Sequence, residues 1–177
     1  MEIPIKPLLA NKFERFGTVI DIKNSQPLII NSGTTERFHD LAKIDVEDAN
    51  GKPLLNIFRG QPRQFPLNIE MMERHPLGSQ AFYPIQPHDY LVIVSDCPSK
   101  PKPNDIYAFK ASGTQGVSYK KNIWHHPLLV TVANHDFVVI DRGGPGDNLE
   151  EHFLIRLMIQ YISNQICDLI TFIFLRK

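Results

Sequence analysis

The chain has 177 residues, and its nineteen Lys and Arg balance nineteen Asp and Glu for a formal net charge of zero. That length gives room for one domain, two at most, with a self-sufficient core. The neutral total argues against partners recruited by bulk charge, nucleic acid and anionic membrane surfaces among them. A hydrophobic share of 42% against 21% charged excludes wholesale disorder, and fourteen scattered prolines exclude long helices over most of the sequence.

In chain order, the start Met1-Glu2-Ile3-Pro4-Ile5-Lys6 lacks the basic stretch and apolar run of a secretory leader, which sets a cytoplasmic expectation. The two cysteines, Cys97 and Cys167, make neither a disulfide framework nor a metal-ligand pair. A short helix is expected over residues 11–16, with Asn11 as cap, Glu14 three residues on and Gly17 as stop. Short apolar runs follow at residues 18–22, 28–30, 54–58, 80–85, 90–94, 106–109, 128–133 and 137–140. Turn formers such as Asn50-Gly51-Lys52-Pro53 and Gly143-Gly144-Pro145-Gly146 separate them. Eight or so short strands at this spacing predict an all-β barrel or sandwich, not a βαβ sheet.

The last stretch differs. Isoleucines at positions 155, 159, 162, 166, 170 and 173 fall on one helical face. The chain is therefore divided into a body, residues 1–152, and an apolar tail, residues 153–177. The tail is expected to be an amphipathic helix packed on the body, paired with a second subunit or touching membrane, the other reading being a tail not native to the fold. Its longest apolar run, residues 169–175, is too short to span a bilayer. Arg156, Arg176 and Lys177 against Asp168 leave the tail at +2 and the body at −2.

Seven histidines are few, so their grouping carries information. In Glu73-Arg74-His75-Pro76-Leu77-Gly78-Ser79-Gln80, a strand would point Glu73 and His75 to the same face. Pro76 and Gly78 then make a turn and Gln80 opens the next strand, so that a carboxylate, an imidazole and an amide converge. In Trp124-His125-His126-Pro127, adjacent histidines of a strand face opposite ways, and only one shares that pocket. Asp141-Arg142-Gly143-Gly144 closes a strand with an acid–base pair and a glycine turn, read equally well as a brace or a ligand clamp. Asn31 and Arg59 add further amide and cationic groups. No nucleophile elbow, P-loop, CxxC, HExxH or EF-hand loop is present, which leaves acid–base or metal chemistry with arginine anchoring an anion.

These stretches resemble the ureidoglycolate lyases of allantoin catabolism. The resemblance is carried by Asn31-Ser-Gly, Arg37-Phe-His-Asp-Leu41, Arg59-Gly-Gln-Pro62, Glu73-Arg-His-Pro-Leu-Gly-Ser-Gln-Ala-Phe82, Gly116-Val-Ser-Tyr119, Trp124-His-His-Pro-Leu128 and Asp141-Arg-Gly-Gly144. It implies a cupin-like double-stranded β-helix, a homodimer, and cleavage of (S)-ureidoglycolate to glyoxylate and urea. It also implies a divalent metal, Ni2+, and the spacing Glu73-x-His75-x4-Gln80 looks like the His-x-His-x4-Glu set of metal-binding cupins. Glu73, His75, Gln80 and His125 are then the candidate metal ligands. His75 with His125 or His126 is the candidate acid–base pair, Glu73 orienting one of them. Arg59 or Arg142 is assigned to the substrate carboxylate, and Gln80 and Asn31 to the ureido group. Where some members carry a histidine after the Gly-Val-x-Tyr stretch, this chain has Lys120 and Lys121. Two other readings stay open: a non-catalytic cupin-like domain binding a small α-keto or α-hydroxy acid, and another metal-dependent cupin enzyme.

Overall fold

Residues 90–95 are apolar at every position but the last because the strand they form is covered on both faces. The computed structural model describes residues 2–160 apart from residue 24. Its elements are β1 (Ile5–Pro7), α1 (Ala10–Phe13), β2 (Gly17–Ile20), β3 (Leu28–Ile30), β4 (Thr35–Arg37), β5 (Lys52–Gly60), β6 (Leu67–Arg74) and β7 (Gln80–Pro84). They continue with β8 (Tyr90–Ser95), β9 (Tyr107–Ala111), β10 (Gly116–Tyr119), β11 (Trp124–His125), β12 (Leu129–Val130), β13 (His135–Gly143) and β14 (Glu150–Ile159). A seven-stranded sheet runs β1-β9-β8-β11-β6-β14, with β12 also on β8, and a five-stranded sheet runs β2-β10-β7-β13-β5. Strands β3 and β4 pair only with each other, as a hairpin.

Alternation along the strands builds two cores. Tyr90, Val92 and Val94 of β8 point at the five-stranded sheet, meeting Phe82, Val117, Phe137 and Val139, with Phe13 and Phe16 closing one side. Leu91 and Ile93 point the other way and join Ile69, Met72, Trp124, Leu157 and Ile159. The result is the expected all-β, cupin-like fold, with one short α-helix among the described residues, near the N-terminus. Among the described residues no helix is long and apolar enough to cross a membrane.

Two local expectations change. Helix α1 begins at Ala10 after Leu9, which offers no side-chain cap, so Asn11 sits inside the helix and does not start it. Residues 153–159, assigned by isoleucine spacing to a helix, are strand: β14 pairs with β6 from Glu150 to Ile159, with a bulge between Phe153 and Leu157. Beyond the bulge Leu157 and Ile159 are buried and Met158 is exposed, a period of two. Pairing with β6 satisfies a row of backbone groups and buries two large side chains, and that outweighs the helical spacing. The body thus runs past residue 152. The remainder of the expected helix, residues 161–177, lies outside the described residues.

Candidate active site

Strand β6 belongs to the seven-stranded sheet and β7 to the five-stranded one, so residues 75–79 cross between them. The crossing hugs β13: a Cβ on Gly78 would lie 2.6 Å from Arg142 Cβ, which reserves the position for glycine. Strand β11 lies beside β6 with His125 opposite Glu73, and β10 lies beside β7 with Tyr119 opposite Gln80. These registers gather Glu73, His75, Gln80, Tyr119 and His125 where the sheets approach each other.

Ligand-capable atoms of Glu73, His75 and His125 all lie within 4.8 Å of one another. His75 Nδ1 is 2.7 Å from the Asn148 carbonyl and His125 Nδ1 is 2.9 Å from the Ile123 carbonyl. A carbonyl only accepts, so each Nδ1 carries the hydrogen and each neutral ring keeps its Nε2 lone pair. Neither Nε2 has a hydrogen-bond partner, and nor does the buried Gln80 Oε1. His125 Nε2 stands 3.5 Å from Glu73 Oε1, longer than a normal hydrogen bond. The Tyr119 ring stacks on His125 at 4.5 Å and 15°, fixing the imidazole plane. Acceptors thus converge from four side chains. Buried acceptors without donors are rare and destabilising, and a shared cation would relieve them.

The electrostatics agree. Burial pushes the Glu73 carboxyl up, but His125, His75 and His126 together outweigh it and hold the group below the usual glutamate range. Burial, then repulsion from His125, lowers His75, while the Asn148 carbonyl, Glu73 and Gln80 oppose the shift. Burial pushes up the Tyr119 phenol, so the ring stays neutral. A cavity of about 280 Å³ opens on the cluster, lined by His75, Ser79, Gln80, Asp141, Arg142, Asn148 and Leu149. A larger groove, about 550 Å³, lies along β1 and β9 among Ile5, Lys6, Leu8, Lys110 and Gln115, away from these residues.

The other candidates are placed elsewhere or otherwise engaged. His126 follows directly after β11; it donates from Nδ1 to the Pro127 carbonyl, and burial pushes its pKa down to about 4. Arg59 is 64% exposed and pairs with both oxygens of Asp136 at 2.7 and 2.8 Å. Arg142 lines the cavity, but its Nε and Nη2 donate to the carbonyls of Asp48, Ala49 and Pro145, so it braces the turn. Asn31 sits in the turn between β3 and β4 and donates to Thr35 Oγ1 at 3.2 Å. Three contributors had no assigned role in the sequence reading. Tyr119 is visible only as part of a family stretch, Asp141 only as an acid beside Arg142, and Asn148 has no sequence signal.

The model of the ureidoglycolate lyase family matches residues 1–160. The chain belongs to the ureidoglycolate lyase family. A protein named ureidoglycolate lyase from Burkholderia mallei (strain NCTC 10229) is 51% identical over 152 residues, 86% of this chain and 89% of that protein. A protein of the same name from Brucella melitensis biotype 2 is 47% identical over 155 residues, covering 85% and 89%. Another from Rhizobium leguminosarum bv. trifolii is 46% identical over 151 residues, covering 85% and 90%. Within this lyase-family chain the two most specific stretches, residues 73–82 and 124–128, are those that supply Glu73, His75, Gln80 and His125 to the cluster.

Proposed function

We propose that the chain is a cytoplasmic, homodimeric ureidoglycolate lyase that cleaves (S)-ureidoglycolate to glyoxylate and urea in allantoin breakdown. The observation that carries this reading is the convergence of the Glu73, His75 and His125 acceptors beside a small cavity, in a chain that matches the family over residues 1–160. In the reaction the hydroxyl proton leaves and its electron pair closes the aldehyde C=O. The C–N bond breaks with its pair on nitrogen, which takes a proton as urea departs, and nothing is oxidised or reduced.

His75 lines the cavity, and its buried Nε2 is a bare acceptor suited to receive the hydroxyl proton. Glu73 favours the resulting imidazolium and burial disfavours it, so the proton is held loosely enough to return to the departing nitrogen. The same lone pairs alternatively fit a divalent metal, nickel by the family resemblance: two imidazoles and a carboxylate, with the Gln80 oxygen as a weaker fourth ligand, His75 Nε2 then being a ligand and not the proton acceptor. When bound it supplies Lewis-acid charge to the substrate oxygens. Of the residues assigned to substrate, Gln80 and Arg142 line the cavity and Asn31 and Arg59 do not.

The homodimer is supported by apolar side chains left uncovered in one copy, Leu55 and Ile57 on β5 with Leu28 and Ile29 on the β3–β4 hairpin. Light scattering on Leu55→Lys/Ile57→Lys is expected to show a smaller particle than the parent protein. The activity is tested by glyoxylate release from (S)-ureidoglycolate, with nickel and with chelator. No release above the spontaneous rate in either condition would sink the lyase reading. Thermal stabilisation by small α-keto acids without turnover would point to a binding domain instead.

A further inference from the structure

Ser79 stands where the crossing from β6 enters β7, only 5% exposed, and lines the cavity with His75, Gln80, Asp141 and Arg142. Two bonds to one residue fix it. Its backbone N–H donates to the Asp45 carbonyl at 2.7 Å, and its Oγ accepts the Asp45 N–H at 2.8 Å. Asp45 is held in turn: Lys121 Nζ lies 3.0 Å from its Oδ1, and Val46 beside it is buried. A serine hydroxyl both accepts and donates. The Asp45 N–H engages the accepting side alone, so the hydroxyl hydrogen is left over. Among the described residues no acceptor takes it, and the orphans of the same cavity wall, His75 Nε2 and Gln80 Oε1, keep no partner.

The arginines first assigned to the substrate carboxylate are engaged elsewhere. Arg59 is paired with Asp136, and Arg142 gives Nε and Nη2 to carbonyls. A ligand that brings a carboxylate to this wall brings further acceptors and needs a donor there. A hydroxyl donating to a carboxylate makes a short, charge-assisted bond. We propose that Ser79 is a substrate-binding residue whose Oγ–H donates to the carboxylate of the bound substrate. The identity of that substrate rests on the lyase reading given above; the unclaimed hydroxyl hydrogen does not. The carboxylate is unchanged through C–N cleavage, so the bond holds ground state and transition state alike and acts on KM, not on kcat.

The test compares the parent with Ser79→Ala. Ser79→Cys is the second variant should alanine weaken the contact with Asp45, because a thiol fills the space and is a poor donor. Glycolate, which has the hydroxyl and carboxylate of the substrate without its ureido group, is titrated by calorimetry. Its Kd is expected to weaken about tenfold or more in both variants. KM for (S)-ureidoglycolate should rise in the same proportion, with kcat within about twofold of the parent. N-(hydroxymethyl)urea, which keeps the hydroxyl and ureido groups and lacks the carboxylate, should bind parent and variants equally. A glycolate Kd unchanged in the folded variants overturns the proposal, as does a parent that binds no glycolate. Equal weakening of both ligands also overturns it, since that marks a structural role. A parent that binds glycolate through Ser79 and releases no glyoxylate from (S)-ureidoglycolate upholds the serine and overturns the lyase reading alone.

Discussion

Two polar clusters sit near the two ends of β13 and are built on opposite terms. At one end Asp136 has every acceptor answered: Arg59 reaches both carboxylate oxygens and Gln86 takes the Asp136 backbone N–H at 2.7 Å. At the other end Arg142 is likewise answered, by three carbonyls, while beside it Glu73, His75, Gln80 and His125 face one another with acceptors and no donor. The paired groups stabilise the fold and have no capacity left for a ligand. The unpaired ones destabilise it and gain from one. Polarity alone therefore does not mark the site; unmet polarity does. His135 Nδ1 is also buried without a partner, packed against the rings of His88, Tyr90 and Phe137, but among the described residues only Glu73, His75 and His125 bring three ligand-capable groups together.

The comparison is broken most sharply by emptying the unpaired cluster. His75→Ala is expected to lower glyoxylate release by about 10²–10⁴-fold, with a melting temperature equal to or above the parent because one orphaned acceptor is gone. A variant that melts several degrees lower and keeps its rate would reverse the assignment. On the paired side, Arg142→Met leaves the carbonyls of Ala49 and Pro145 without donors and the Asp48 carbonyl with the Gly51 N–H alone, a loss of about 2–3 kcal/mol in denaturant unfolding. An unchanged unfolding midpoint would show that water replaces the guanidinium without penalty.

Acid sharpens the contrast by another route. His126 titrates at about 4 when folded, against about 6.5 for an unfolded histidine. Between those values the unfolded chain holds a proton that the folded chain refuses. Stability is thus fully present above about pH 6.5 and is lost as pH falls towards 4, by roughly 3 kcal/mol at most. His75, lowered for the same first reason, adds in the same direction. His126→Asn, which keeps a donor for the Pro127 carbonyl, should flatten the melting temperature over this range; an equally steep profile would assign the effect to other groups. The smallest effect is expected from Asp136→Asn. It removes one charge of a pair whose arginine is exposed, lowers the melting temperature slightly and leaves glyoxylate release per folded molecule unchanged.

Much of the site was legible because strand alternation is a strong rule. It put Glu73 and His75 on one face, set Gln80 at the opening of the next strand, and allowed one of His125 and His126 into the pocket. What the rule does not contain is the identity of a partner across the sheet. Arg59 reads as a free cation in sequence, and only the register Asp136↔Arg59 shows that it is occupied. Arg142 reads equally as a brace or as a clamp for an anion, and only the fold of residues 48–49 and 145 around it shows the carbonyls it serves. Asp141 and Asn148 act through bonds to Asn56 and His75 that span 85 and 73 positions, beyond any local pattern. The fold followed the same division. Short apolar runs gave most strands, whereas β6, interrupted by Glu70 and Glu73, and β14, with its helix-like isoleucines, depend on each other for recognition.

Asn148, just before β14, carries a consequence for the order in which the enzyme is made. Its backbone carbonyl fixes the His75 ring and its side-chain oxygen accepts the Leu77 N–H, so both ends of one residue pin the turn that bears the proton-handling group. During synthesis the strand carrying Glu73 and the turn carrying His75 emerge long before residue 148 does. Until then His75 has no carbonyl to choose its tautomer, and β6 has one open edge where β14 will lie. The closure of this long loop is entropically late. A growing chain therefore holds most of its strands before it holds a competent site, and reactive chemistry is withheld until Asn148 and β14 have been made.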